Sequence, residues 1–309
     1  METKPDRSKQ VNMFKPRRGK LSHGNANYLQ RFDAMACEAA RAVITSYSTS
    51  FSLATRLLRG RIRTDVSNLY AMVRIADEIV DGTAKAAGDD REQAASLLNE
   101  YERAVLAAPQ LRFHTDPILH AYAMTARRCT FDPEHIKAFF ASMRRDLRQN
   151  TYDAEEFEEY VYGSAEVIGL LCVSIFVAGD KLTPEKRRRL DEGARRLGAA
   201  FQKVNFLRDI AEDTSQLGRT YFPGLRGRSL DDATKADIVQ DIREDLGCAY
   251  QVIPELPVDA RWGVQAAADL FTELTDRIDA LPASEVLTSR VRVPRNKKLM
   301  ILARAAAHR

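Results

Sequence analysis

The sequence predicts an all-α protein, and three observations carry that reading. From about Tyr28 onward apolar residues recur at the 3.6-residue spacing of amphipathic helices. Alternating apolar and polar runs of strand length are hard to find. Asp132-Pro133 and Thr183-Pro184 each place a capping side chain before a proline at the first helical position, where its missing N–H does no harm.

The expected helices follow in order. The first runs from about Asn27 to Ser46, and the second, Val66 to Val80, leads into an acidic cluster. Arg91 to Ala107 and Pro117 to Cys129 come next, then Glu134 to Gln149, opened by Asp132-Pro133. Ala154 to Val161 precedes Ala165 to Ala178. The latter covers all but the last residue of the longest nearly apolar stretch, Val167 to Gly179, which is shorter than the roughly twenty residues a bilayer span needs and contains Ser174. Pro184 to Glu212 starts at the Thr183 cap and ends in a second acidic cluster. Leu230 to Val252, Ala260 to Ala280 and Lys297 to Ala306 complete the chain. The prolines at 254, 257 and 282 and the stretch Tyr221 to Gly227 mark breaks between helices, not a change of composition. One domain is expected over residues 27–309, after a basic arm at residues 1–26.

The chain has 309 residues, 45% of them apolar, which suits one large helical core. A net charge of +4 suggests nucleic acid only until it is located: residues 1 to 20 hold seven Lys or Arg against two acids. That arm, interrupted by Pro5, Pro16 and Gly19, is expected to be solvated and disordered, with loose attraction to anionic lipid head groups as the functional alternative. No apolar segment of signal type follows it. Four separated cysteines, Cys37, Cys129, Cys172 and Cys248, read as buried thiols in a reducing compartment. The expected location is the cytoplasm, with transient contact on the inner face of the plasma membrane. Aromatics are not interleaved with a basic stripe, so no nucleic-acid partner is expected.

Two acidic rows stand out. Asp77 and Asp81 are one helical turn apart, and Asn205, Asp209 and Asp213 repeat the same step over two turns. Like charges at that spacing repel unless a cation lies between them. Hard oxygen donors suit magnesium, which binds through one or two carboxylates together with substrate phosphate oxygens. A solvated helix face would explain one such row, since 43 acids produce the spacing by chance. Two rows, each flanked by apolar residues, are harder to dismiss. Arg74, Arg208 and Arg219 accompany them, and guanidinium forks match phosphate oxygens. Charge placed where a leaving diphosphate becomes anionic would promote its departure. Tyr47, Phe51, Tyr70, Tyr160, Tyr162 and Tyr221 lie near the motifs, and ring faces attract carbocations, although each alone reads as plain core. Walker, GxGxxG, GxSxG and HExxH patterns are absent, and the five histidines are expected at the surface or at caps.

Tyr47-Ser48-Thr49-Ser50-Phe51-Ser52-Leu53-Ala54, Leu69-Tyr70 with Arg74, the Asp77 to Asp81 cluster, Tyr160 to Gly169, Gln202 with the Asn205 to Asp213 cluster, and Arg219-Thr220-Tyr221-Phe222-Pro223 together resemble the squalene and phytoene synthase family. The resemblance implies an isoprenoid synthase fold around a deep apolar cavity, with the acidic rows facing each other at its mouth. It implies that Asp77, Asp81, Asn205, Asp209 and Asp213 hold magnesium, or manganese in its place. Tyr47, Ser48, Ser50, Phe51, Arg74, Gln202, Arg208, Arg219 and Arg290 would bind substrate, and Tyr70, Tyr160 and Tyr221 would stand near the reacting carbons. The implied partners are two allylic isoprenoid diphosphates, with downstream carotenoid enzymes beyond them.

Gly163-Ser164-Ala165-Glu166-Val167-Ile168-Gly169-Leu170 and Asn205 to Asp209 look most like the phytoene branch, which joins two geranylgeranyl diphosphates and needs no NADPH. A synthase of squalene, dehydrosqualene or presqualene diphosphate from farnesyl diphosphate is the second reading. A non-catalytic assembly or lipid-binding relative is the third, and it would be expected to lose the acids that this chain keeps. Small residues Ala194, Gly198, Ala199 and Ala200 could line a channel or simply pack. Two departures from the family pattern are Thr49, where many members carry lysine in a Ser-Lys-Ser-Phe segment, and Phe271, where many carry tyrosine.

Overall fold

Helix follows helix in the computed structural model, which describes residues 25–214 and 219–307. The basic arm and the last two residues, His308 and Arg309, therefore fall outside the described residues, apart from the arm's last two, which already belong to the first helix. About 80% of the chain is helical, and the described residues contain no strand, only one isolated bridge between Thr151 and Thr220.

The longer elements follow the expected order: α1 (Asn25–Tyr47), α3 (Gly60–Val80), α5 (Arg91–Ala107), α6 (Pro117–Cys129), α7 (Pro133–Asp146), α8 (Ala154–Val161), α9 (Val167–Phe176), α10 (Pro184–Glu212), α11 (Asp232–Val252), α12 (Val258–Asp279) and α14 (Arg295–Ala307). Three short helices escaped the periodicity: α2 (Thr49–Thr55), α4 (Thr83–Ala87) and α13 (Ala283–Val286). They are too short to display a repeating apolar face. The proline caps act as expected: Asp132 accepts from the Glu134 N–H and Thr183 from the Lys186 N–H. Helix α3 begins six residues earlier than the apolar spacing suggests, because Asp65, Ser67 and Asn68 are buried polar residues inside it. Thr125 donates to the Asp65 carboxylate at 2.8 Å, and Asn68 donates to Thr125 at 3.1 Å and to the Ala121 carbonyl at 3.1 Å, all across to α6. These bonds offset most of the cost of burying the layer, although Asn68 Oδ1 is left buried without a partner.

Two apolar cores result. One gathers α3, α5, α6, α7 and α9 around Leu69, Met72, Phe139, Phe140 and Leu171. The other joins α8, α10, α11 and α12 around Val204, Leu207, Ile242 and Phe271. Helix α10 borders both, with Leu190 in the first and Leu207 in the second.

Helices α8 and α9 are joined through a π-helical turn, Tyr162–Glu166, into one continuous run. The run from Ala154 to Phe176 is long and apolar enough to cross a bilayer by composition, but half of that stretch is buried within the protein. Val167, Leu171 and Ile175 are fully inside the first core. A Cβ on Gly163 would come within 2.4 Å of the Ala138 carbonyl oxygen, and one on Gly198 within 2.6 Å of the Ala165 carbonyl oxygen. Backbone therefore meets backbone where this run crosses α7 and α10. Of the two roles weighed for the small residues of α10, packing is the one they fill: Ala194 and Gly198 touch the α9 run, while Ala199 and Ala200 are buried in the second core.

Two expectations need correction. His120 is not a surface or capping residue: it is fully buried, its Nε2 is 2.8 Å from the Asp33 carboxylate, and its Nδ1 faces the His114 N–H. Aromatic neighbours Phe32 and Phe113 close that pocket. The cysteines are free, but only Cys129 is buried outright and Cys248 is exposed, on the outer face of α11.

Candidate active site

The two acidic rows end two different helices. Asp77 and Asp81 occupy the last turn and C-cap of α3, and Asp209 and Asp213 the last turn and C-cap of α10. Asn205 and Gln202 continue the α10 row inward, both half-buried. The carbonyl ends of both helices add partial negative charge to this region, so cations are needed beside it.

Arginines meet that need on every side. Arg74 lies 3.7 Å from Asp77, also pairs with Glu78, and stands over the Tyr47 ring at 4.5 Å. Thr83 in turn donates to Glu78. Arg208 Nε donates to Asp209 at 2.8 Å, and Arg290 Nε approaches the same carboxylate at 3.0 Å. Arg219 lies between the rows: its backbone N–H donates to the Asp213 carbonyl at 3.0 Å, while its side chain reaches Asp81 at 3.4 Å. The Arg219 segment is fixed by the Thr220 N–H on the Asn150 carbonyl at 2.8 Å, beside the single β-bridge.

Behind Arg219 is a residue that sequence reasoning missed. Asp146, at the end of α7, is 7% exposed. Its carboxylate accepts the Tyr160 hydroxyl at 2.8 and 2.9 Å, and its carbonyl accepts Arg219 Nη2 at 2.7 Å. The signal was present: Ile136, Phe139, Phe140 and Met143 form the buried stripe of α7, and Asp146 is its next position. An acid on an apolar stripe requires a partner. Tyr160, Tyr152, Tyr221 and Phe206 stack around it, with Phe206 and Tyr221 centroids 3.9 Å apart. Thus Tyr160 and Tyr221 are both buried, Tyr160 held by Asp146 and Tyr221 by Arg219 at 3.4 Å.

On the opposite side, Ser48 caps α2 by accepting the Phe51 N–H at 3.1 Å and stands against the Tyr70 hydroxyl. Thr49 and Ser50 follow it on the rim. Phe51, Phe201 and Phe271 form an aromatic cluster beneath, with Phe201 and Phe271 stacked at 3.9 Å and Tyr70 at 6.4 Å from Phe51. Of these rings Phe271 is buried, while Phe51 and Phe201 stay partly accessible. The void described beside the α10 acids is about 10 Å³, lined by Phe206, Ile210, Asp213, Arg219 and Tyr221 among others. The predicted residues are therefore brought together around one mouth, on α1, α2, α3, α8, α10, the Arg219–Tyr221 segment and the Arg290 segment.

Burial and mutual repulsion raise the acids. Burial pushes Asp213 up to about 7, with Asp209 adding repulsion and Arg219 opposing it. Burial likewise pushes Asp146 up to about 7 against the pull of Arg219. Asp77 is raised well above the ordinary range by desolvation and then by Asp81, and Asp81, whose side chain is 43% exposed, is raised by the desolvation of its surroundings. These carboxylates hold protons in the folded state that the unfolded chain releases, so their contribution to stability is greatest near pH 4 and is lost as pH rises toward about 7. Metal-free protein is expected to melt at lower temperature at about pH 8 than at about pH 5, and Asp213→Asn to flatten that decline, as read by scanning calorimetry.

Among the described residues no three His, Cys, Asp or Glu side chains converge closely enough to cage an ion alone. The donor set nonetheless fits magnesium: the oxygens are hard, partly desolvated and mutually repelling, and a diphosphate would supply the missing ligands.

The squalene/phytoene synthase family model matches residues 44–297. The chain belongs to the squalene/phytoene synthase family. Members of this family are prenyltransferases that use isoprenoid diphosphates. The chain is 28% identical over 288 residues to a phytoene synthase of Arthrospira platensis, covering 86% of this chain and 90% of that protein. It is 28% identical over 291 residues to a 15-cis-phytoene synthase of Synechococcus elongatus, covering 86% and 91%. Among solved structures, a ligand-bound dehydrosqualene synthase superposes with a TM-score of 0.73 at 21% identity, over 91% of this chain and 98% of that one. A squalene synthase from Alicyclobacillus acidocaldarius gives 0.67 at 23% identity, over 80% and 94%. At these identities the structural matches speak for the fold.

Proposed function

We propose that this family member is a phytoene synthase, condensing two geranylgeranyl diphosphates head to head through prephytoene diphosphate to phytoene. The observation that carries the reading is the position of Arg219, buried between the two acidic rows and backed by the tyrosine stack on Asp146. The arrangement sets guanidinium charge at a mouth and π faces just inside it, which is what loss of an anionic leaving group from an allylic carbon requires. The 28% identity to phytoene synthases over most of the chain supports the branch.

Asp77, Asp81, Asn205, Asp209 and Asp213 would hold magnesium, which when bound would neutralise diphosphate oxygens as the allylic carbon–oxygen bond breaks. Arg74, Arg208, Arg219 and Arg290 grip the same oxygens, with Gln202 beside them on α10. Breaking that bond leaves a carbocation on the alkyl part and the electron pair on the diphosphate. Phe51, Tyr70, Phe201 and Phe271 would flank the alkyl chain and exclude water from the cation. Tyr160 and Tyr221 present ring faces, since their hydroxyl groups are occupied by Asp146 and Arg219. Tyr160 is held well above its ordinary pKa by burial and by Asp146, so it keeps its proton and does not serve as the base.

The test is product mass. Purified protein supplied with magnesium and labelled geranylgeranyl diphosphate, without NADPH, is expected to release a forty-carbon hydrocarbon. Thirty-carbon product from farnesyl diphosphate alone would move the chain to the squalene branch. No turnover of either, with cellular function kept after Asp77→Ala, would make it a non-catalytic relative.

A further inference from the structure

Away from the mouth, toward the other end of α1, arginines converge on an open pocket of about 330 Å³ lined by Leu29, Asp33, Arg112, Met124, Arg127 and Arg128. From Leu29 to Tyr47, whose ring lies under Arg74 at the mouth, α1 rises about 27 Å, so the two places are separate. Arg128 is matched by the buried Asp65 carboxylate. Arg112 and Arg127 join no ion pair among the described residues, and Arg127 is anchored by donating to the Leu111 carbonyl. Asp33, the one acid on the wall, is already engaged by His120 Nε2 at 2.8 Å. Burial and then Arg112 lower the pKa of Arg127, with Asp33 opposing, so this guanidinium is short of counter-charge. Apolar side chains project beside these charges: Tyr28 is 71% exposed, Leu111 55% and Phe113 51%. Tyr28 precedes Leu29 of the wall, Leu111 and Phe113 flank Arg112, and Phe113 packs against Phe32 of α1 with ring centroids 5.0 Å apart.

We propose that this pocket receives the phosphate of an anionic lipid headgroup, with Tyr28, Leu111 and Phe113 entering the interface beside it, so that the first turns of α1 and the segment before α6 lie against a bilayer. The assignment does not depend on what the mouth binds. Guanidinium forks match phosphate oxygens, and two that lack a carboxylate gain charge-assisted hydrogen bonds when a phosphate arrives. Leu29 and Met124 give the same pocket an apolar wall for the carbons that follow the phosphate. Tyrosine, phenylalanine and leucine side chains are suited to the boundary between headgroups and acyl chains. A soluble phosphate compound would account for the arginines but not for the exposed apolar rim. The chain's own N-terminal segment is the wrong occupant. Residues 1 to 20, shortly before α1 begins at Asn25, carry seven Lys or Arg against two acids, so like charge opposes their entry while adding to the attraction for the same anionic surface.

Cosedimentation of the full-length protein with phosphatidylcholine vesicles, prepared with and without phosphatidylglycerol, tests this. The wild-type protein is expected to bind the anionic vesicles and to leave the neutral ones largely alone. Arg112→Gln combined with Arg127→Gln should weaken that binding by about tenfold or more, since each cation held at an anionic surface contributes severalfold. Arg226→Gln combined with Arg228→Gln removes the same charge from exposed positions beside Leu225 and Leu230 of the second core, and should weaken binding far less. That comparison separates the pocket from the general attraction of the basic arm. Tyr28→Ser combined with Leu111→Ser should weaken binding severalfold at nearly constant melting temperature, because both side chains are mostly exposed. A wild-type protein that ignores anionic vesicles overturns the proposal, and so does an equal loss from both arginine pairs or no loss from Arg112→Gln with Arg127→Gln. Calorimetric titration with glycerol 3-phosphate is the second arm. Binding of that compound that the Arg112 and Arg127 substitutions abolish, while vesicle binding stays intact, would make the pocket a site for a soluble phosphate and overturn the lipid assignment.

Discussion

Asp209→Ala is expected to lower kcat/KM by about 10²- to 10³-fold, the loss that follows removal of one electrostatic contributor from a preorganised site. The residue has three roles at once. It belongs to the α10 row, it fixes Arg208 at 2.8 Å, and it draws Arg290 in from a distant segment at 3.0 Å. Removing the carboxylate frees both guanidiniums to pair with whatever anion arrives, so ground-state affinity for pyrophosphate can survive while turnover does not. Steady-state kinetics beside pyrophosphate titration separates the two effects. Equal losses in binding and turnover would contradict this account. Melting temperature should stay nearly constant, because the carboxylate is partly solvated and sits among repelling acids.

Arg219→Met is expected to be the most damaging substitution for the fold near the mouth, destabilising by about 3 to 5 kcal/mol, since it strands a buried acid. Burial works against the Arg219 charge, and Tyr221, Asp146 and Asp81 more than offset that penalty, so the guanidinium stays protonated. Without it, the Asp146 carbonyl loses a 2.7 Å donor and the carboxylate loses its only buried cation among the described contacts. Urea unfolding measures the loss. Adding Asp146→Asn should recover part of it, because the stranded charge is gone and the amide still accepts from Tyr160. If the double variant is as unstable as the sum of the singles, the two residues are not coupled.

Much of this could be read in the chain and some of it could not, for physical reasons. Helices long enough to show an apolar face were placed within a few residues except at the start of α3, where buried polar residues hid six, and the proline caps at 133 and 184 fixed two starts. Helix α2 was missed because seven residues make fewer than two turns. The acidic rows were legible because their members are local, one turn apart. Asp146 was legible only as an acid on the apolar stripe of α7, because its partner, a tyrosine fourteen residues on, is brought by another segment. His120 misled for the same reason, since its partner Asp33 is 87 residues away. The deep cavity was inferred from likeness, and spacing alone could not show that Phe51, Phe201 and Phe271, from three separate helices, meet in one cluster beneath the mouth.

Helix α10 has Leu190 in one apolar core, Leu207 in the other, and Asp209 at the mouth. A single unbroken beam therefore serves as ridgepole for both halves of the building and as doorpost for its entrance. The chain has no fault line along which halves from two relatives could be exchanged, and variation in one half must be reconciled with the other through that shared timber.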